Sequence, residues 1–138
     1  ENVLMCATRQ REILTNATKA LKDGGYIIYA TCTFSLEENE MCVDSFLKEN
    51  PDFELVEVNE CVRRVTSDGI SFDGCTTDNI HMCRRFYPHV SKGEGQFVAL
   101  MKKKYGRHIC VKREKTESQS LTVCFNIVSI LKCSSESK

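Results

Sequence analysis

Cys32 stands between two threonines in the run Tyr29-Ala30-Thr31-Cys32-Thr33. A thiolate is a strong nucleophile and also a good leaving group, so a cysteine in such a setting can form and release a covalent adduct. A free thiol has a pKa of about 8.5, so a working cysteine needs surroundings that favour the thiolate. Thr31 and Thr33 can offer hydroxyls to the sulfur or to a substrate, whereas Glu37, Glu38 and Glu40 oppose a thiolate unless they point away. Taken alone, a cysteine here is more often a small apolar filler than a nucleophile. The other eight cysteines, Cys42 among them, take that bland reading. A second group, Arg84, Arg85, Lys92, Lys102, Lys103 and Lys104, carries the cations that bind a phosphate backbone. Lys102, Lys103 and Lys104 read equally well as a solvated strand end. His89 after Pro88, and Gly93 and Gly95, read most simply as turn residues. Cys61, Cys75, His81 and Cys83 are separated by thirteen, five and one residues. That spacing lacks the close cysteine pair of common zinc sites, so no metal is expected.

Certain elements must hold these residues in place. Ile13, Leu14, Ala17, Ala20 and Leu21 recur at helical spacing, which predicts a helix over 3–22. Gly24-Gly25 stops it, since glycine takes the left-handed conformation of a helix C-terminal cap. Residues 26–31 form a short apolar run without clean alternation, the pattern of a central strand covered on both faces. Ser35-Leu36-Glu37-Glu38 fits a capping box opening a helix over 36–49, which Asn50-Pro51 ends. Residues 53–58 alternate apolar and charged and predict a half-buried strand near a sheet edge. Residues 59–83 predict an irregular excursion, with a short strand at 70–72 between Asp68-Gly69 and Asp73-Gly74. Residues 96–101 predict a second unbroken apolar strand. Helix and strand thus alternate in an α/β pattern. Cys32 falls just past the carboxyl end of a buried strand, where open α/β sheets bind ligands.

The run Tyr29-Ala30-Thr31-Cys32-Thr33 followed by Glu37-Glu38-Asn39-Glu40 resembles the catalytic-cysteine signature of the Sun (Nol/Nop/Sun) family. Its members are S-adenosylmethionine-dependent RNA cytosine-5 methyltransferases. Arg84-Arg85-Phe86-Tyr87-Pro88-His89 and Gly93-Glu94-Gly95-Gln96-Phe97-Val98-Ala99-Leu100 resemble the arginine–aromatic–Pro-His segment leading into that family's last strand. With the first helix, the resemblance covers about 8–103. It implies the C-terminal portion of a Rossmann-like methyltransferase sheet, its last strand inserted antiparallel so that the spatial order is first, third, second. It also implies Cys32 as the nucleophile on carbon 6 of a cytosine, RNA (ribosomal RNA by default) as the partner, and S-adenosylmethionine as the cofactor. The family's Gly-rich methyl-donor loop and its Pro-Cys motif have no counterpart in these 138 residues. Residues 1–104 are therefore expected to be the back half of a catalytic domain, its partner the missing N-terminal half. Two other readings stay open: a non-catalytic RNA-binding or folding remnant, and another Rossmann-like methyltransferase with Cys32 in its core.

Composition sets outer bounds. The length suits one domain with a real core. Nine cysteines, an odd number, with no signal peptide, point to free thiols in a reducing cytoplasm. No apolar run approaches the roughly 20 residues that span a membrane. The formal net charge is zero, yet residues 36–60 hold nine acids and one lysine, while 84–115 hold ten Lys or Arg and two Glu. The tail 105–138 is basic, then apolar over 121–131, with 134–138 expected to be disordered. The first residue is Glu1 rather than Met, so the natural start is expected to lie upstream.

Overall fold

A computed structural model of the chain describes residues 2–106 and 125–129. Its elements run α1 (Asn2–Thr18), β1 (Tyr26–Thr31), α2 (Glu40–Glu49), β2 (Phe53–Leu55), α3 (Glu60–Arg63), β3 (Ser67–Asp68), β4 (Arg84–Phe86), α4 (Pro88–Ser91), β5 (Gln96–Lys103) and β6 (Phe125–Ser129). A single 3-10 turn, Ile80–Met82, precedes β4.

The sheet is built on β5. Along one side it pairs antiparallel with β1, from Thr31 opposite Phe97 to Tyr26 opposite Lys102. Along the other it takes β4 near its start and β2 near its end, both antiparallel. The spatial order β1, β5, β2 is the one expected from the resemblance. Within the excursion the short strand is β3, Ser67–Asp68, rather than 70–72, and it pairs antiparallel with β4. β6 extends the sheet past β1 in parallel, Tyr26 opposite Phe125. Part of the apolar stretch in the tail is therefore strand. The expectation of disorder over 134–138 lies outside the described residues.

The core is one face of the sheet against two helices. Ile27 and Tyr29 of β1 and Phe97, Ala99 and Met101 of β5 are buried, with Leu14 of α1 and Val43 and Phe46 of α2 packed on them. Alternate residues on a strand point to opposite faces. Ile28, Ala30, Val98 and Leu100 therefore line the second face, where they are only half-buried. Among the described residues the helices cover one face, so the expected double cover of β1 is half supplied.

Helix ends also shift. α1 stops at Thr18, and Lys19, Ala20 and Leu21 continue only as tighter turns bonded three residues back. Leu21 still reaches the core from that turn. α2 begins at Glu40 instead of 36, because Leu36 to Asn39 form a turn whose last side chain is committed elsewhere. β2 ends at Leu55, although the Val56 N–H still donates to the Leu100 carbonyl at 2.9 Å.

Candidate active site

Cys32 follows the last residue of β1, and its side chain is exposed. The loop that carries it is braced from below. Asn39 is fully buried; its amide oxygen accepts from the Thr31 hydroxyl, and its amide NH2 donates to the Thr33 carbonyl at 2.9 Å. One side chain thus spans the residues on either side of Cys32. The Thr33 hydroxyl accepts from the Ser35 N–H at 3.1 Å, tightening the same turn. Thr31 was expected to offer its hydroxyl to the sulfur or a substrate. That expectation is corrected, for the group is buried and donates to Asn39.

The capping box forms by half. The Ser35 hydroxyl accepts from the Glu38 N–H at 3.4 Å, but the Glu38 carboxylate turns to the Gln10 amide on α1 at 2.7 Å. Tyr29 completes this junction by donating to the Glu38 carbonyl at 2.6 Å, and burial pushes its hydroxyl pKa far up. The other two glutamates are engaged as well. The Ser35 hydroxyl donates to Glu37 and holds that carboxyl below its usual range. Glu40 is buried against Arg85.

That last pair corrects two expectations. Arg85 and Glu40 have side chains only 2% and 0% exposed, and they form a two-pronged ion pair, with Nε to Oε1 at 2.6 Å and Nη2 to Oε2. Burial works against the guanidinium's charge, but Glu40 outweighs it, so the Arg85 pKa is raised. Arg85 also donates from Nη1 to the Phe34 carbonyl at 3.1 Å and lies over the Phe97 ring. Arg84 points elsewhere but is equally buried; it donates to the Thr66 hydroxyl and carbonyl, each at 2.9 Å, and pairs with Asp68. Neither arginine is a free cation for phosphate. A cleft of about 550 Å³ beside Arg84, on the far side of β5 from Cys32, holds Arg63 and Arg64, paired with Glu57 and Glu60.

The remaining cations divide by position. Lys92 is exposed in the connection between α4 and β5, near the end of the sheet that carries Cys32. It adopts a left-handed backbone, φ 52°. Lys102, Lys103 and Lys104 lie at the opposite end: Lys102 is level with Tyr26, about 20 Å along the strand from Cys32. Lys102 sits over the Tyr26 ring, Lys103 donates to the Leu21 carbonyl and pairs with Asp23, and Lys104 donates to the Pro51 carbonyl. Sequence reasoning missed the aromatic cluster beside Cys32, where Phe34 stacks on Tyr87 and Tyr87 on His89. Cys61 is exposed on α3, Cys75 half-buried and Cys83 in the core. Among the described residues no group of three or more His, Cys, Asp and Glu side chains is placed to hold a metal ion.

Residues 1–102 match the family model described as 16S rRNA methyltransferase RsmB/F. The chain belongs to this family. The human 28S rRNA (cytosine(4447)-C(5))-methyltransferase is 33% identical to it over 116 residues, covering 75% of this chain and 13% of that protein. The tRNA (cytosine(72)-C(5))-methyltransferase of Pyrococcus horikoshii is 31% identical over 97 residues, 70% of this chain and 22% of that protein. Among solved structures, a methyltransferase homolog protein from P. horikoshii superposes with a TM-score of 0.60 at 26% identity, covering 74% of this chain and 32% of the other. P. horikoshii NSun6, solved with SFG, gives 0.52 at 31% identity, covering 72% and 23%. The fold is thus the Rossmann-like methyltransferase sheet. This RsmB/F chain spans only about an eighth to a fifth of the length of these two curated relatives.

The cofactor of the family does not fit the described residues. Their buried side-chain nitrogens and oxygens all have partners, so none is left pointing at an absent ligand. Two left-handed glycines are already filled by aromatic rings of the chain itself: a Cβ on Gly24 would meet the Tyr105 ring at 2.4 Å, and one on Gly95 would meet the Phe34 ring at 2.2 Å. Gly24 and Gly25 also precede β1, at the end of the strand opposite Cys32. In the described residues no helix is long and apolar enough to cross a membrane.

Proposed function

We propose that this chain carries the nucleophile of an RNA cytosine-C5 methyltransferase, acting together with an upstream segment that holds S-adenosylmethionine. The observation that carries the reading is an exposed Cys32 on a loop that buried Asn39 fixes from both sides, at the carboxyl end of a central strand. The relatives named as ribosomal and transfer RNA cytosine-C5 methyltransferases support the substrate class. The reduced thiols of Cys32, Cys42, Cys61, Cys75 and Cys83 suit a reducing compartment such as the cytoplasm.

Carbon 5 of cytosine is a weak nucleophile. The Cys32 thiolate adds to carbon 6, and the new S–C bond moves the electrons of the ring double bond towards carbon 5. Once carbon 5 carries the methyl group, it loses its proton. The S–C6 bond then breaks, the double bond reforms, and the thiolate leaves. A base must leave its stack to reach this position. The bracing by Asn39 and Arg85 gives Cys32 a fixed approach, which is the part of the barrier that positioning supplies. S-adenosylmethionine would supply the methyl group; the described residues do not form its pocket.

The test restores the upstream half from a relative and measures tritium release from RNA labelled at cytosine carbon 5. Cys32→Ala should lower the rate more than 100-fold, at least about 2.7 kcal/mol of transition-state stabilisation, and Cys42→Ala should leave it near parental. A Cys32→Ala enzyme within 100-fold of the parent rules out Cys32 as the nucleophile. Covalent trapping on 5-fluorocytosine RNA separates this reading from a non-catalytic remnant.

A further inference from the structure

We propose that Phe34, Tyr87 and His89 form a stacking platform for an unpaired RNA base next to the target cytosine, an inference that rests on the RNA reading above. The three rings stack pairwise through Tyr87. Phe34 and Tyr87 are nearly parallel, with centroids 5.8 Å apart and planes at 9°; Tyr87 and His89 lie 5.5 Å apart at 25°. Phe34 and His89 each stack on Tyr87, and Phe34 remains 49% exposed.

An exposed phenylalanine is unremarkable when it is loose, but this one is locked. Its carbonyl accepts from Arg85, itself fixed by Glu40. Its ring tip rests on Gly95, where an added Cβ would stand 2.2 Å from Cζ. Gly95 has φ 94°, which other residues rarely adopt, so the backbone conformation and the close approach both require glycine. The ordering entropy of the aromatic is thus lost on folding rather than on binding, which favours a ligand that stacks on it.

Position then selects the ligand. Phe34 is two residues past Cys32, so their Cα atoms are at most about 7 Å apart. A base stacked on Phe34 is therefore a near neighbour of a cytosine held at the sulfur. Lys92 is exposed three residues beyond His89, in the same connection, and suits the adjoining phosphate. Every base has a π-face, so such a platform binds single-stranded RNA with little sequence preference. It also gives the three rings a ligand contact distinct from the thiol chemistry of Cys32.

The experiment uses the 138-residue chain and a single-stranded RNA octamer with 2-aminopurine flanking one central cytosine. Binding is followed by anisotropy, and stacking by quenching of the 2-aminopurine. Phe34→Ala should weaken binding about 5- to 150-fold, the range for loss of one stacked base, and abolish the quenching while leaving the salt slope unchanged. Phe34→Leu keeps apolar bulk without a π-face and should resemble Phe34→Ala, whereas Phe34→Trp should bind at least as well as the parent. This pair guards against misfolding, checked by circular dichroism. Lys92→Gln should instead reduce the salt slope by about one unit. If Phe34→Leu binds and quenches within twofold of the parent, the platform is wrong, and the role of Cys32 stands or falls separately on tritium release. Absence of any binding by the parent chain also overturns the platform.

Discussion

The buried pair between Glu40 and Arg85 gives a sharp test of how this site is held. Arg85→Met removes the cation that, among the described residues, pairs with the Glu40 carboxylate and leaves it the Ile70 N–H at 2.9 Å. Taking one partner from a buried ion pair costs about 3–5 kcal/mol, because the other charge stays buried without compensation. Glu40→Met should cost a similar amount, since Arg85 keeps its charge at 2% exposure. Replacing both, as Glu40→Met with Arg85→Met, removes both charges and should recover most of the loss. With singles of about 3–5 kcal/mol each and a double that recovers most of their sum, the coupling should be at least about 3 kcal/mol, at or above the upper range for residues in direct contact. Urea unfolding of the chain followed by circular dichroism reads these values. With a slope of about 1–1.5 kcal/mol/M for a domain of this size, Arg85→Met should lower the midpoint by about 2–5 M. A loss of that size can exhaust the stability of a small domain, and the refolded double variant then becomes the deciding sample. Single variants within about 1 kcal/mol of the parent, or a double variant as damaged as the sum of the singles, would refute the account of Arg85 as an internal strut.

Asn39→Ala should cost about 2–3 kcal/mol, because the buried Thr31 hydroxyl and the Thr33 carbonyl each lose a partner; an unchanged urea midpoint would dismiss the brace. Asp44 accepts from the Thr76 and Thr77 N–H groups at 3.0 and 2.8 Å; burial pushes its carboxyl up, but these bonds outweigh it and the pKa is lowered. A depressed carboxyl stabilises the fold above its unfolded pKa of about 3.9, and that share is lost as pH falls through the lower folded value. The stability gap between the parent and Asp44→Asn should therefore narrow below about pH 4, and a gap that widens there contradicts the assignment. Changing Lys102, Lys103 and Lys104 together to Gln should alter the salt slope of RNA binding by less than about one unit, since these lysines lie at the far end of the sheet; a drop of about three units would place RNA there instead.

What the sequence makes legible here follows from pattern length and from where partners sit. The strands at 26–31 and 96–101 can be read because an unbroken run of Ile27, Ile28 and Tyr29, or of Phe97, Val98, Ala99 and Leu100, has few other uses. Their neighbour at 53–55 shows its buried Phe53 and Leu55 around an exposed Glu54. β4 escaped because its first two residues are Arg84 and Arg85. A pair of arginines reads as a wet, cationic surface, and only the fold shows that their partners wait 16 and 45 residues away, at Asp68 and Glu40. For the same reason Glu40 read as an acid set against a thiolate and Asn39 fell unremarked within the helix predicted over 36–49, although both are buried.

The buried pair also gives a physical reason for the two motifs to occur together. Glu40 closes the segment that begins at Cys32, and Arg85 opens the segment that runs into β5. Their contact is sealed from water, and Arg85 reaches on to the Phe34 carbonyl. Phe34 then lies on Gly95 and Tyr87, which belong to the second segment. The nucleophile loop and the connection between β4 and β5 therefore behave as one rigid body. A change in either segment that breaks the pair should disturb the position of Cys32 as much as a change beside the sulfur itself.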